Sequence, residues 1–350
     1  MPEFYADFNH TSGRSCYTDV ANEVKKLKDA GVSGIILDLR NNGGGSLGDV
    51  VDMAGLFVGR GPVVQVKGSH SAPSRLQSQV DSVSYSGPLA IMVNEGSASA
   101  SEILAAAMQD YKRAIIVGSM TYGKGTVQKM VELDQFINPM ARFQQQNDTE
   151  GAEGKSIGAL KLTMEKFYRV NGGSTQLKGV TPDVAIPDFY DSYDDDDLGE
   201  RHNKAALPWD EIPAANYKPT NSVGDLRQIV AMSESRINAS PTFKSIEANS
   251  EILKKRKDDD VVPLNEEKYV KYEAEIEATS KKMDEILKKA TPLDMSNAPA
   301  DLARINEDTT SISKNKEWLK AISKDLYIAE TVNVINDMPK SQMKLTEKQE

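Results

Sequence analysis

Leu89-Ala90-Ile91-Met92-Val93-Asn94-Glu95-Gly96-Ser97-Ala98-Ser99-Ala100-Ser101-Glu102 joins two kinds of sequence. Its first five residues are an unbroken apolar run of strand length, the kind buried on both faces of a parallel sheet. After the small residues an alanine-rich helix is expected at about residues 103–108. A small-residue turn between a buried strand and a helix leaves a side chain exposed at a helix N-terminus. Free N–H groups and the helix dipole there favour developing negative charge, which makes Ser99 a candidate nucleophile. Taken alone, however, Ser99 and Glu102 read better as an S-x-x-E capping box.

Outward from this stretch, strand and helix alternate. A helix is expected from Thr18 on the spacing of Val20, Val24, Leu27 and Ala30, and a buried strand at 34–39. The apolar positions Leu47, Val50, Val51, Ala54 and Phe57 predict a second helix, and 63–66 a strand, followed by a polar, serine-rich excursion. Strands are expected at 114–117 and 126–133. A polar surface insertion is expected at 138–157, and the alternation of Leu160, Leu162 and Met164 restores a strand that ends near Val170. The alternation predicts an α/β layer architecture with its chemistry at the strand ends.

Residues 113–128 read Arg113-Ala114-Ile115-Ile116-Val117-Gly118-Ser119-Met120-Thr121-Tyr122-Gly123-Lys124-Gly125-Thr126-Val127-Gln128, with a lysine between two glycines. Together with the first stretch they resemble the tail-specific, or C-terminal processing, serine peptidases. In that family a SASASE-type turn carries the nucleophile, a GKG-type loop a lysine base, and a glutamine follows the lysine by four positions. The matching residues are Ser99, Lys124 and Gln128, the first two separated by 124 − 99 = 25 positions, as in the family. Asp38-Leu39-Arg40-Asn41-Asn42-Gly43-Gly44-Gly45 resembles the family's DLR-N-GGG loop, and residues 173–183 its G-V-x-P-D closing segment.

The resemblance covers about residues 1–190 and implies a crotonase/ClpP-like layered α/β catalytic core. It implies a Ser/Lys dyad that cleaves unfolded or tail-exposed proteins through an acyl-enzyme, without cofactor or metal. Oxyanion donors would come from Gly45 or Gly44 and from Ala100. A lysine acts as base only when neutral, so its pKa of about 10.4 must fall, and an uncharged Gln128 can orient it without opposing that. Asp110 also matches a family position. At about 16 Å of helical rise from Ser99 it is expected to support the helix end rather than carry protons. Many members carry a PDZ domain ahead of the core. The residues before 38 are too few to hold one, so a longer parent protein, or a variant without that domain, is expected. The resemblance also implies a bacterial periplasmic or envelope setting.

Other chemistries fit less well. The three histidines, His10, His70 and His202, lie in no motif that pairs with Ser99. Cys16 alone cannot form an internal disulfide and reads as a buried or incidental thiol. The spacing Gly118-x-x-x-x-Gly123-Lys124 approaches a phosphate-binding loop, but Gly125 stands where Ser or Thr would ligate magnesium. With 52 acidic against 42 basic residues and a net charge of −10, nucleic acid is a poor partner. No apolar run reaches the length of a membrane span.

Residues 191–221, with acidic residues at 194–197 and prolines at 208, 213 and 219, are expected to be a solvated linker, not a calcium loop. Residues 222–350 are expected to form an all-helical domain that resembles the C-terminal region of the longer tail-specific proteases. Its expected apolar faces are Leu226, Ile229 and Val230; Phe243, Ile246 and Leu253; and Tyr269, Tyr272, Ile276, Met283 and Ile286. Trp318, Leu319, Ile322 and Leu326 are expected as a later core stripe.

Overall fold

The structure, a computed structural model, describes residues 1–7, 13–136, 157–192, 199–257, 261–288 and 291–347. His10, the acidic residues 194–197 and all but the last residue of the expected insertion lie outside the described residues. In chain order the first half forms α1 (Cys16–Asp29), β1 (Ile35–Asp38), α2 (Leu47–Val58), β2 (Gly61–Gly68), β3 (Ser74–Ser78) and β4 (Leu89–Val93). Then follow α3 (Ala100–Asp110), β5 (Ile115–Gly118), β6 (Thr126–Glu132), β7 (Ala159–Tyr168) and β8 (Val184–Ala185). The second half is helical: α4 (Leu226–Ala239), α5 (Pro241–Lys257), α6 (Glu266–Lys288), α7 (Leu302–Ile305), α8 (Thr309–Ile322) and α9 (Leu326–Glu347). None of these helices is long and apolar enough to cross a membrane.

Strands β1, β4, β5 and β8 form a parallel sheet in the order β1-β4-β5-β8. All five residues of β4 are buried, as a strand covered on both faces requires. Because side chains alternate, Leu89, Ile91 and Val93 join one core with α1, α2 and α3, while Ala90 joins a second on the opposite face. Strands β3, β2, β7 and β6 form a separate antiparallel sheet in that order. Val64, Val66 and Phe167 fix it to the first core. The simple strand–helix alternation did not indicate this second sheet, nor did the serine-rich excursion indicate β3.

The second face of the parallel sheet is covered by the C-terminal helices. Ile115, Val117, Val184 and Ile186 share one buried cluster with Ile229 and Ile237 of α4, Phe243 and Ile246 of α5, and Val334, Ile335 and Met338 of α9. Each such side chain withdrawn from water contributes roughly 1.5–3 kcal/mol. The expected stripe at 318–326 is corrected in part. Trp318 is 57% exposed, and α8 buries none of its residues. Leu319 and Ile322 stay part-exposed outside both cores, whereas Leu326, the first residue of α9, packs against the second core.

The described part of the expected linker is not free in solvent. The N–H groups of Ile212 and Ala215 donate to the carbonyls of Gly172 and Val170, and the Trp209 indole donates to the Ser174 carbonyl. An extended, proline-spaced segment is thus tied to the first half of the chain.

Candidate active site

Six residues separate the end of β4 from the start of α3 and must redirect the chain. The Ser97 hydroxyl donates to the Leu39 carbonyl at 2.8 Å, which ties the turn to the end of β1. The Ser101 N–H donates to the Ala98 carbonyl at 3.1 Å and closes a four-residue turn centred on Ser99 and Ala100. Ser99 takes φ 57° and ψ −112°, the first central conformation of a type II′ turn, where glycine is usual. A side chain held there stores strain on the order of 1 kcal/mol or more. It also stands out at the strand-to-helix corner, the arrangement of a nucleophile elbow.

Glu102 organises the surroundings of that corner. It is fully buried, yet its Oε2 accepts the N–H groups of Ser99 at 2.8 Å and Lys124 at 2.9 Å. Its Oε1 accepts the Thr121 hydroxyl at 2.6 Å and the Gly123 N–H at 2.7 Å. Burial outweighs these four donors and pushes the carboxyl up to about 7. One carboxylate therefore caps α3, as the S-x-x-E pattern suggested, and also clamps the lysine loop to the serine turn. The sequence reading missed this second role. Its available signal was an acid inside a helix whose neighbouring residues are otherwise small or apolar.

Asn42 does the same for the glycine loop. Its carbonyl accepts the Ala98 N–H at 3.0 Å and the Ser101 hydroxyl at 2.8 Å, and its Oδ1 accepts the Gly44 N–H at 2.9 Å. The Phe4 N–H donates to the Gly44 carbonyl, and the Ser46 N–H to the Phe4 carbonyl. The Gly44 amide is thus occupied. Among the described residues the amides of Gly45 and Ala100 have no acceptor. A Cβ at Gly45 would lie 2.2 Å from the Phe4 carbonyl oxygen, and one at Gly44 would lie 2.8 Å from Ser99 Cβ. Both positions need glycine for close approach as well as for their positive φ.

Ser99, Lys124 and Gln128 line one cleft of about 300 Å³, together with Gly43, Gly45 and Ala100. Leu47, Ile103, Val127 and Phe167 supply apolar wall, and Lys161 also lines it. Gln128 stands where the pairing of β6 with β7 shifts register, Met164 of β7 being the extra residue, a local irregularity of the kind that re-aims side chains. The structure does not bring Asp110 or Gly44 into this lining. Asp110 lies at the far end of α3, where Arg169 pairs with it at 2.6 and 3.1 Å and Asn171 donates to it at 2.9 Å. His70 and His202 are exposed and do not line this cleft. The phosphate-loop alternative loses its donors: the amides of Gly123 and Lys124 point to Glu102, and that of Gly125 to Gln176 at 2.8 Å.

Comparison with known proteins identifies the family. Residues 4–186 match peptidase family S41, and residues 193–340 match the C-terminal domain of tail specific protease. The tail-specific protease of Haemophilus influenzae is 38% identical over 76% of this chain and 35% of its own length. The carboxy-terminal-processing protease of Bartonella bacilliformis is 32% identical over 48% of this chain and 35% of its own. A solved structure, the photosystem II D1 C-terminal processing protease, is 28% identical with a TM-score of 0.42, covering 53% of this chain and 41% of that one. The chain spans about a third (35%) of the length of these curated relatives.

Proposed function

Because the chain belongs to peptidase family S41, we propose that it is a serine endopeptidase that processes or degrades proteins from their C-termini. The observation that carries this reading is one cleft shared by Ser99, Lys124 and Gln128 beside the unoccupied amides of Gly45 and Ala100. Ser99 Oγ attacks the scissile carbonyl while its proton passes to Lys124 Nζ. The tetrahedral oxyanion accepts the N–H groups of Gly45 and Ala100. Gly45 is preferred over Gly44 because Asn42 already holds the Gly44 amide. Collapse breaks the C–N bond as Lys124 returns the proton to the leaving amine, and water then hydrolyses the acyl-serine by the same route. Gln128 orients Lys124 without adding charge, and Asp110 supports the end of α3 through Arg169.

By the same reading, residues 1–190 are the catalytic core, 191–221 the connection and 222–350 the helical domain. The substrates are unfolded or tail-exposed proteins in a bacterial periplasm or envelope. Labelling with a serine-directed phosphonate and cleavage of an unfolded protein test the chemistry. Ser99→Ala is expected to abolish both, with a folded chain. Lys124→Arg is expected to be inactive because a guanidinium stays protonated at any working pH. A parent chain that binds peptide but neither cleaves nor labels is a peptide-binding module instead.

A further inference from the structure

Arg40 lies in the loop that carries Gly43–Gly45, but its side chain reaches into the C-terminal helices. Its guanidinium donates to Asp38 from Nε at 2.9 Å and Nη2 at 2.6 Å, and to Asp325 from Nη2 at 2.8 Å and Nη1 at 3.3 Å. The ring of Tyr327 lies 5.7 Å from the guanidinium carbon. The side chains of Arg40 and Asp325 are 19% and 22% exposed, so solvent screens the pair less than it does an open surface bridge. Asp325 also begins α9, where its Oδ1 accepts the N–H groups of Tyr327 at 2.9 Å and Ile328 at 3.0 Å. One carboxylate both caps a helix and grips the glycine loop.

Neither end of this connection is loose. In α9, Glu330 accepts from Ser233 at 2.6 Å and from Arg236 at 2.7 Å, and Asp337 accepts from Arg236 at 2.8 Å, which pins α9 to α4. The Tyr327 hydroxyl donates to the Pro187 carbonyl at 3.1 Å, just beyond β8. At the other end, Asn42 stands two residues after Arg40 and holds both the Gly44 amide and the serine turn. The connection runs from α9 through Asp325 to Arg40, and from there along two residues of backbone to Asn42 and the donor loop.

We propose that Asp325 is a positioning residue for the reaction: through Arg40 it holds the Gly43–Gly45 loop in place against Ser99. The C-terminal helical layer is then part of the catalytic apparatus. The proposal rests on the reading of Gly45 as an oxyanion donor.

Asp325→Asn separates the two duties, because asparagine caps helices as well as aspartate but carries no charge for Arg40. The test measures kcat and KM on a short quenched peptide, and hydrogen exchange of the segment 39–46. The expected result for Asp325→Asn is a kcat lowered about 10-fold with KM within about two-fold, because donor misplacement acts on the transition state. Exchange of 39–46 should quicken, while the melting temperature stays within about 4 °C. Asp325→Glu, which restores a carboxylate, should recover most of the lost kcat. An Asp325→Asn enzyme with unchanged kcat and unchanged exchange overturns the proposal, as does one in which only KM rises. If the parent chain neither cleaves nor labels at Ser99, it is the peptidase reading that fails. Exchange of 39–46 then decides alone, and an unchanged rate refutes any hold of Asp325 on the loop.

Discussion

At the scale of single residues, Ser99 and Glu102 make opposite demands on stability. Ser99 occupies a conformation that glycine adopts without strain, so Ser99→Gly should raise stability by roughly 1 kcal/mol while removing the nucleophile. A thermal melt beside a cleavage assay checks this, and a melting point below the parent's would contradict the strain assignment. Glu102 titrates in the folded state near 7 against an ordinary value of 4.5. Because the folded pKa is the higher, the native state binds more protons across that window. The stability contributed by this carboxyl is therefore fully present below about pH 4.5 and lost as pH rises through about 7, a change on the order of 3 kcal/mol. Chemical denaturation from pH 5 to 8 should show the parent losing stability relative to the non-titrating Glu102→Gln. Parallel curves for the two proteins would place the Glu102 pKa elsewhere.

At the scale of elements, what could be read locally and what could not divide along physical lines. The apolar run of β4 and the small-residue corner behind it were legible because burial on both faces and a strand-to-helix turn leave local marks. The clamp made by Glu102 was not, because Thr121, Gly123 and Lys124 belong to a loop on the far side of β5. Strand β3, with Leu76 as its one large apolar residue, has no alternation to read and takes its conformation from pairing with β2. The alternation in β7 marks a strand but not a buried face: Leu160, Leu162 and Met164 are 48, 38 and 50% exposed. Lys161 and Phe167 of the same strand line the cleft. Replacing the three exposed residues with threonine should shift stability by no more than about 0.5 kcal/mol each and reduce self-association at high concentration. Sedimentation velocity and thermal melts decide this. A large loss of stability would show that the face is covered in solution.

At the scale of the molecule, the parallel sheet has two cores, and the second depends on helices remote in the chain. Their periodicity disclosed an apolar stripe on each helix but not the surface it would meet. Ile246→Ala, deep in that second core, should cost roughly 2–5 kcal/mol. A chain ending at residue 190 would bare Ala90, Ile115, Val117, Val184 and Ile186, and should be recovered as aggregate rather than as a soluble core. Size-exclusion chromatography of that shortened chain gives the answer, and a monodisperse, cooperatively melting product would refute it. The same layering sets a timetable. Synthesis proceeds from the N-terminus, so Ser99, Lys124 and Gln128 leave the ribosome well before Val334, Ile335 and Met338 arrive to close the sheet. The nascent polypeptide carries every group of its cleft while one face of the supporting sheet is still bare, and the finished cleft waits for α9.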